Sequence, residues 1–154
     1  MAPADLLRPL EGQREETFRI IEGLGSADLD RIDRQTGWSV RQLCAHLVSA
    51  ELGEAFVIRR ALDRELMHLS QEDRDSFNEA QAEGAGDWDA ERVKSELTEA
   101  MQTLREVFTS MKEEDLDLPV RWPEWPARTI RTSIPYMVEH EDSHLDQIKQ
   151  ALRD

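Results

Sequence analysis

Apolar residues recur along the chain at intervals of three and four in four blocks, and none alternates with the period of two that a half-buried strand requires. The pattern predicts an all-α chain. The first block, Ala4 to about Leu24, places Leu7, Leu10, Phe18, Ile21 and Leu24 on or near one face, with Gly25 as the expected stop. The second opens in TGWSVRQL, where Ser39 can cap, Gln42 stands where a capping-box partner belongs, and Trp38 and Leu43 hold the staple positions. It runs to about Met67, with Val40, Leu43, Cys44, Leu47, Val48, Ala55, Ile58 and Leu62 on its core side. Polar HLSQEDRDSFNEAQAEGAG then reads as a long connection. The third block starts near Asp87 or Asp89 and presents Val93, Leu97, Met101, Leu104, Phe108 and Met111. The fourth begins after Thr132 or Ser133, takes Pro135 in its first turn and reaches the C-terminus. Four helices with matching apolar faces make a four-helix bundle, one domain spanning residues 1–154. The connections are long enough for one or more to cross over it.

Composition narrows the function classes. A length of 154 residues supports a core without staples, and the lone Cys44 excludes an internal disulfide. Acidic residues outnumber basic ones 33 to 19, a formal charge of −14 that repels phosphate backbones and anionic membranes. Nucleic acid and membrane are therefore excluded as expected partners, a small-molecule substrate is expected, and a homodimer is compatible with the chain. The N-terminal MAPADLLRPLEGQREE lacks a signal sequence's apolar core, and no stretch approaches the roughly 20 apolar residues of a membrane span, so a cytoplasmic protein is expected. One basic island, RWPEWPARTIR, sets Arg121, Arg128 and Arg131 against Glu124. It reads either as a small-anion site or as a solvated loop.

The chemistry-bearing residues gather on the second and fourth helices. HEDSH, residues 140 to 144, matches the H-E-x-x-H of zinc proteases, and residues four apart share a helix face, so His140 and His144 can chelate one ion. A third ligand of the usual type must come from upstream, because LDQIKQALRD after His144 holds neither histidine nor glutamate. On the same angular reckoning His46 flanks the apolar stripe of the second helix, while Glu51 and Glu141 fall within the stripes. A buried carboxylate needs a partner. Either a divalent ion on His46, His140 and His144 explains both glutamates, which would then orient ligands or act as base, or both glutamates reach solvent and the histidines are scattered polar residues. His68, among polar residues at the end of the second helix, reads as a surface histidine, and Cys44 as a small core residue.

The stretch GWSVRQLCAHLVSAE, with H-L-x-x-x-E inside a capped helix, is followed some ninety residues on by HEDSHLDQI, of the form H-x-x-x-H-x-x-Q-I. Together with DSFNEA between them, these resemble the DinB/YfiT-like superfamily. The resemblance implies up-down-down-up connectivity and a divalent metal held by His46, His140 and His144, with HEDSH a bundle-type pair that only mimics a protease motif. It also implies activities among S-transferases and isomerases that use low-molecular-weight thiols such as bacillithiol or mycothiol, or among metal-dependent hydrolases. In the mycothiol-dependent isomerase branch the first ligand of the last helix is a glutamate, where this chain has His140.

The reading that follows is a thiol S-transferase acting on small electrophiles. Three neutral imidazoles leave the ion its charge and an open position for a thiolate, with Glu51 or Glu141 as proton acceptor and Trp122, Trp125 and Tyr136 as candidate pocket walls. A hydrolase that activates water at the same ion, and a non-catalytic bundle that binds a small molecule, are the alternatives. Zinc or nickel suits the imidazoles, and ferrous iron is also accepted.

Overall fold

The structure, a computed structural model, describes residues 1–65, 69–121 and 127–154. A 3-10 turn, Pro3–Leu7, leads into α1 (Arg8–Ile21), and a short α2 (Ser26–Leu29) follows. Then come α3 (Val40–Leu62), α4 (Gln71–Gly84), α5 (Ala90–Ser110), a second 3-10 turn (Glu113–Asp117), two strands of two residues each, and α6 (Ile130–Arg153). The strands, β1 (Pro119–Val120) and β2 (Arg128–Thr129), pair antiparallel at the entry to α6.

The helix starts follow local chemistry. At α3 the Ser39 hydroxyl accepts from the Gln42 amide at 3.1 Å, and the Gln42 side chain accepts from the Ser39 amide at 2.9 Å, the reciprocal pair the sequence predicts. Ser39→Ala is expected to lower stability by about 1 kcal/mol, read as a shifted urea midpoint with unchanged slope. At α6 the cap is Thr129, earlier than the expected Thr132 or Ser133, because Thr129 and Thr132 bond each other's amides reciprocally at the end of β2. Pro135 therefore lies inside the helix, where it cannot donate to the carbonyl of Arg131. The first helix stops sooner than expected: Gly23 takes the left-handed turn at φ +80, and Gly25 caps α2 instead.

The largest correction concerns the segment after α3. What reads as a polar connection contains α4, capped by Ser70, whose hydroxyl accepts from the Asp73 amide at 3.0 Å. Only Ala82 of this helix is buried, so it has no apolar stripe for a periodicity reading to find. The α3 helix itself ends at Leu62, and Met67 and His68 lie outside the described residues.

Side-chain pairings give the helix directions. Along α1 and α6, Gln13 bonds Asp142 and Lys149 lies near Glu16, so the two run parallel. Against α5, Glu11 pairs with Arg105, whereas Lys94 stands over the Phe18 ring, so α1 and α5 are antiparallel. His46 meets His140 while Glu54, further along α3, meets Arg128 just before α6, so α3 opposes α6. The bundle is up-down-down-up, as the family resemblance implies. The two parallel central helices, α3 and α5, need a connection that returns along the bundle, and α4 lies within it.

The core is divided. One apolar cluster joins Leu10, Ile58, Leu104, Phe108, Ile134 and Met137; the other joins Ile21, Leu43, Leu47, Val93, Leu97 and Ile148. Between the two clusters α1, α3 and α6 bury the polar residues Arg14, Thr17, Ser49, Glu51, Glu54 and Glu141, with Leu145 beside them. A polar layer thus crosses the middle of the bundle. No helix among the described residues is long and apolar enough to cross a membrane.

Candidate metal centre

The first turns of α3 and the middle of α6 bring His46, His140 and His144 together from opposite directions. The His46 Nε2 lies 3.3 Å from the His140 Nε2, which lies 3.2 Å from the His144 Nε2, and one ring nitrogen of each falls within 4.8 Å of the others. The rings meet at centroid separations of 4.5 to 5.2 Å. Four ligands at zinc–nitrogen distances of about 2.0–2.1 Å in a tetrahedron lie roughly 3.3 Å apart, so the donor set fits a first-row divalent ion. Burial, helped by the nearby His144, His140 and Arg74, pulls the His46 imidazole down to about 3. Burial also brings His140 to about 4, with His144 and the two arginines Arg74 and Arg128 adding to it. His144 is lowered too, burial outweighing the bond from Gln147 and the charge of Asp33. All three are neutral near pH 7 and present lone pairs, the state a metal requires.

The two glutamates within the stripes are buried and have a partner that the sequence reading missed. Arg14 donates from Nε to Glu141 Oε1 at 2.9 Å, from Nη2 to Glu141 Oε2 at 3.1 Å and to Glu51, and from Nη1 to the Leu97 carbonyl at 2.8 Å. Thr17 adds a bond to Glu141 Oε1 at 2.9 Å. The expectation that either an ion or solvent explains both carboxylates lacked this residue: Arg14, from α1, bonds both, and its single positive charge offsets one of their two negative charges. Nor do they reach solvent, at 5 % and 3 % exposure. Their roles now differ. Both oxygens of Glu141 are taken by Arg14 and Thr17, whereas Glu51 Oε1 is buried with no hydrogen-bond partner among the described residues. Burial raises the Glu51 pKa even though Arg14 works against it. The signal for Arg14 was available in the sequence: Leu7, Leu10, Arg14, Thr17, Ile21 and Leu24 step by three and four, so Arg14 and Thr17 stand in the buried stripe of α1.

A cavity of ≈ 800 Å³ adjoins the cluster on its His46 and His140 side, and Arg14, Glu51 and Glu141 also line it. Leu52, Phe56, Phe77 and Met137 supply apolar wall, so α4 contributes to the cavity through Phe77 of the DSFNEA segment. Tyr136 lines it as well, 6.0 Å from the His140 ring, its phenol pushed up to about 12 mainly by burial and so protonated at neutral pH. Trp122 and Trp125, the other proposed walls, lie outside the described residues, as does Glu124. One arginine of the basic island turns inward: Arg128 bonds Glu54 at 2.8 Å and stacks over Tyr136 at 4.2 Å, while Arg131 pairs at the surface with Asp117 at 3.3 Å. Arg121 is exposed, and one exposed arginine does not make an anion site. Cys44 is buried with its thiol pushed up to about 12 by burial, consistent with a core residue.

A family model for the DinB superfamily matches residues 9–148, nearly the whole chain. The chain belongs to the DinB superfamily. Among its relatives is the uncharacterized protein YuaE of Bacillus subtilis (strain 168), 26% identical over an alignment of 147 residues that covers 89% of this chain and 91% of that protein. Among solved structures, the crystal structure of a mutant mycothiol-dependent maleylpyruvate isomerase superposes with a TM-score of 0.78 at 11% identity, covering 96% of this chain. The match takes in 61% of that isomerase chain, so this chain spans about three fifths of its length. At that identity the likeness is one of fold.

Proposed function

We propose that this DinB-superfamily chain is a divalent-metal-dependent enzyme that activates a low-molecular-weight thiol toward a small electrophile. The observation that carries the reading is the convergence of three neutral histidine Nε2 atoms at the edge of a cavity large enough for two small molecules. That a structurally similar isomerase is named for its mycothiol dependence supports the choice of a thiol. When bound, a divalent cation supplies Lewis acidity, lowering the pKa of a thiol held against it.

The chain's own residues do the rest. His46, His140 and His144 hold the ion as neutral donors. Arg14 fixes the Glu51 carboxylate through one oxygen, and the other, buried and unbonded, accepts the thiol proton. Glu141, with both oxygens engaged, acts on geometry only, by anchoring Arg14. The apolar side chains of the cavity exclude water from the reacting sulfur, and the protonated Tyr136 offers a donor beside His140. The sulfur–carbon bond forms as the electrophile's leaving group departs with its bonding pair. The net products are a thioether, the leaving group and a proton that passes from Glu51 to solvent.

Metal analysis of the purified protein followed by turnover of monobromobimane with a panel of cysteine, glutathione, bacillithiol and mycothiol tests this. Bound divalent metal with chelator-sensitive, thiol-dependent turnover is the expected result. Ester or amide hydrolysis without any thiol would move the site to hydrolase chemistry, and metal-free protein without turnover would leave only a binding bundle.

A further inference from the structure

Gln147 lies one turn beyond His144 on α6, and its Oε1 is 2.7 Å from the His144 Nδ1. A carboxamide oxygen only accepts, so the ring must place its hydrogen on Nδ1, and the Nε2 lone pair is left to face His46 and His140. The amide is itself held: Gln147 Nε2 donates to the Gln35 Oε1 at 3.3 Å. In this orientation the carboxamide oxygen meets the histidine and its nitrogen meets Gln35.

Gln35 rides on a tight turn between α2 and α3. The Asp33 amide donates to the Trp38 carbonyl and the Gly37 amide to the Asp33 carbonyl, each at 2.8 Å. Asp33 Oδ2 accepts from the Thr36 amide at 2.8 Å and from the Thr36 hydroxyl at 2.6 Å, and Gly37 takes the left-handed region at φ +77. The turn therefore has little freedom. It ends at Trp38, whose ring stands 5.2 Å from that of His46. One short turn thus supports two of the three histidines from outside, one through a hydrogen-bond relay and one through ring packing.

We infer that Gln147 is a positioning residue: it locks His144 in the Nδ1–H tautomer and, anchored by Gln35 on the turn of residues 33–38, aims its Nε2 at the centre of the triad. The inference rests on the reading that the triad holds a divalent ion. Outer partners of this kind change metal affinity by about 10–100-fold.

Two measurements test it. In the metal-free protein, nitrogen-15 NMR of the histidine rings should find His144 with its hydrogen on Nδ1, and in Gln147→Leu a mixture or the Nε2–H form. Zinc competition against a chelating dye should find binding weakened about 10–100-fold in Gln147→Leu and near wild type in Gln147→Glu, which keeps the acceptor. A residue that merely packs would leave the tautomer alone and would not distinguish Leu from Glu. A wild-type His144 in the Nε2–H form, or Gln147→Leu with unchanged tautomer and zinc affinity, overturns the assignment. Wild-type protein that binds no zinc fails the metal reading instead, and the tautomer measurement still decides the role of Gln147.

Discussion

Replacing Arg14 with methionine is expected to destabilise the fold by about 3–5 kcal/mol, the largest single-residue stability loss anticipated in this chain. Arg14 is 4 % exposed and bonds two carboxylates that are themselves buried. Without its guanidinium, Glu51 and Glu141 would face each other in a low-dielectric layer between two apolar clusters, and at least one would have to take up a proton. Chemical denaturation at neutral pH checks the size. Lower pH should recover part of the loss in the variant, because protonating the orphaned carboxyls removes the uncompensated charge. The triple replacement Arg14→Met, Glu51→Leu, Glu141→Leu should be far more stable than Arg14→Met alone, since an apolar layer of similar volume needs no compensation. A cost below about 1 kcal/mol for Arg14→Met would mean that the layer is hydrated and the ion pairs are weak.

The contrast between Arg14 and His46 explains what was legible in the sequence. His46, His140 and His144 could be grouped because each lies beside an apolar stripe on a helix whose phase is set by clear local signals, Ser39 and Gln42 in one case and the run from Ile134 to Leu152 in the other. The structure places their Nε2 atoms together. Arg14 sits in the middle of such a stripe, where a charged residue is taken as an interruption unless the six-residue series through Leu7 and Leu24 is followed to its end. The helix α4 was hidden for the opposite reason: its polar faces satisfy no core, and its capping pair Ser70 and Asp73 was the one usable mark. The pairing of Arg128 with Glu54 and the relay from His144 to Gln35 depend on segments far apart in the chain. No spacing rule reaches those contacts, because they are set by how the bundle closes. The same closure turned an expected basic island into ion pairs.

Replacing any one of His46, His140 or His144 with alanine is expected to weaken divalent-metal binding about 100-fold or more. Structural zinc sites with four protein ligands bind with about 10–16 kcal/mol, so each ligand carries roughly 3 kcal/mol, or two decades of affinity. The donors here are already neutral at pH 7, with His46 held at about 3 and His140 at about 4, so no proton has to be displaced from them and the loss should reflect the missing ligand alone. Thermal unfolding provides a readout independent of activity. Added zinc should raise the wild-type midpoint by linkage, and the rise should shrink or vanish in each variant, while helical circular dichroism persists because the apolar clusters do not include these residues. His68→Ala, at a position outside the described residues, serves as the control and should bind as wild type does. Glu51→Gln should retain most of the metal and lose turnover, separating the proton acceptor from the ligands. Tight zinc binding by His46→Ala, or loss of it in His68→Ala, would show that the triad is wrongly drawn.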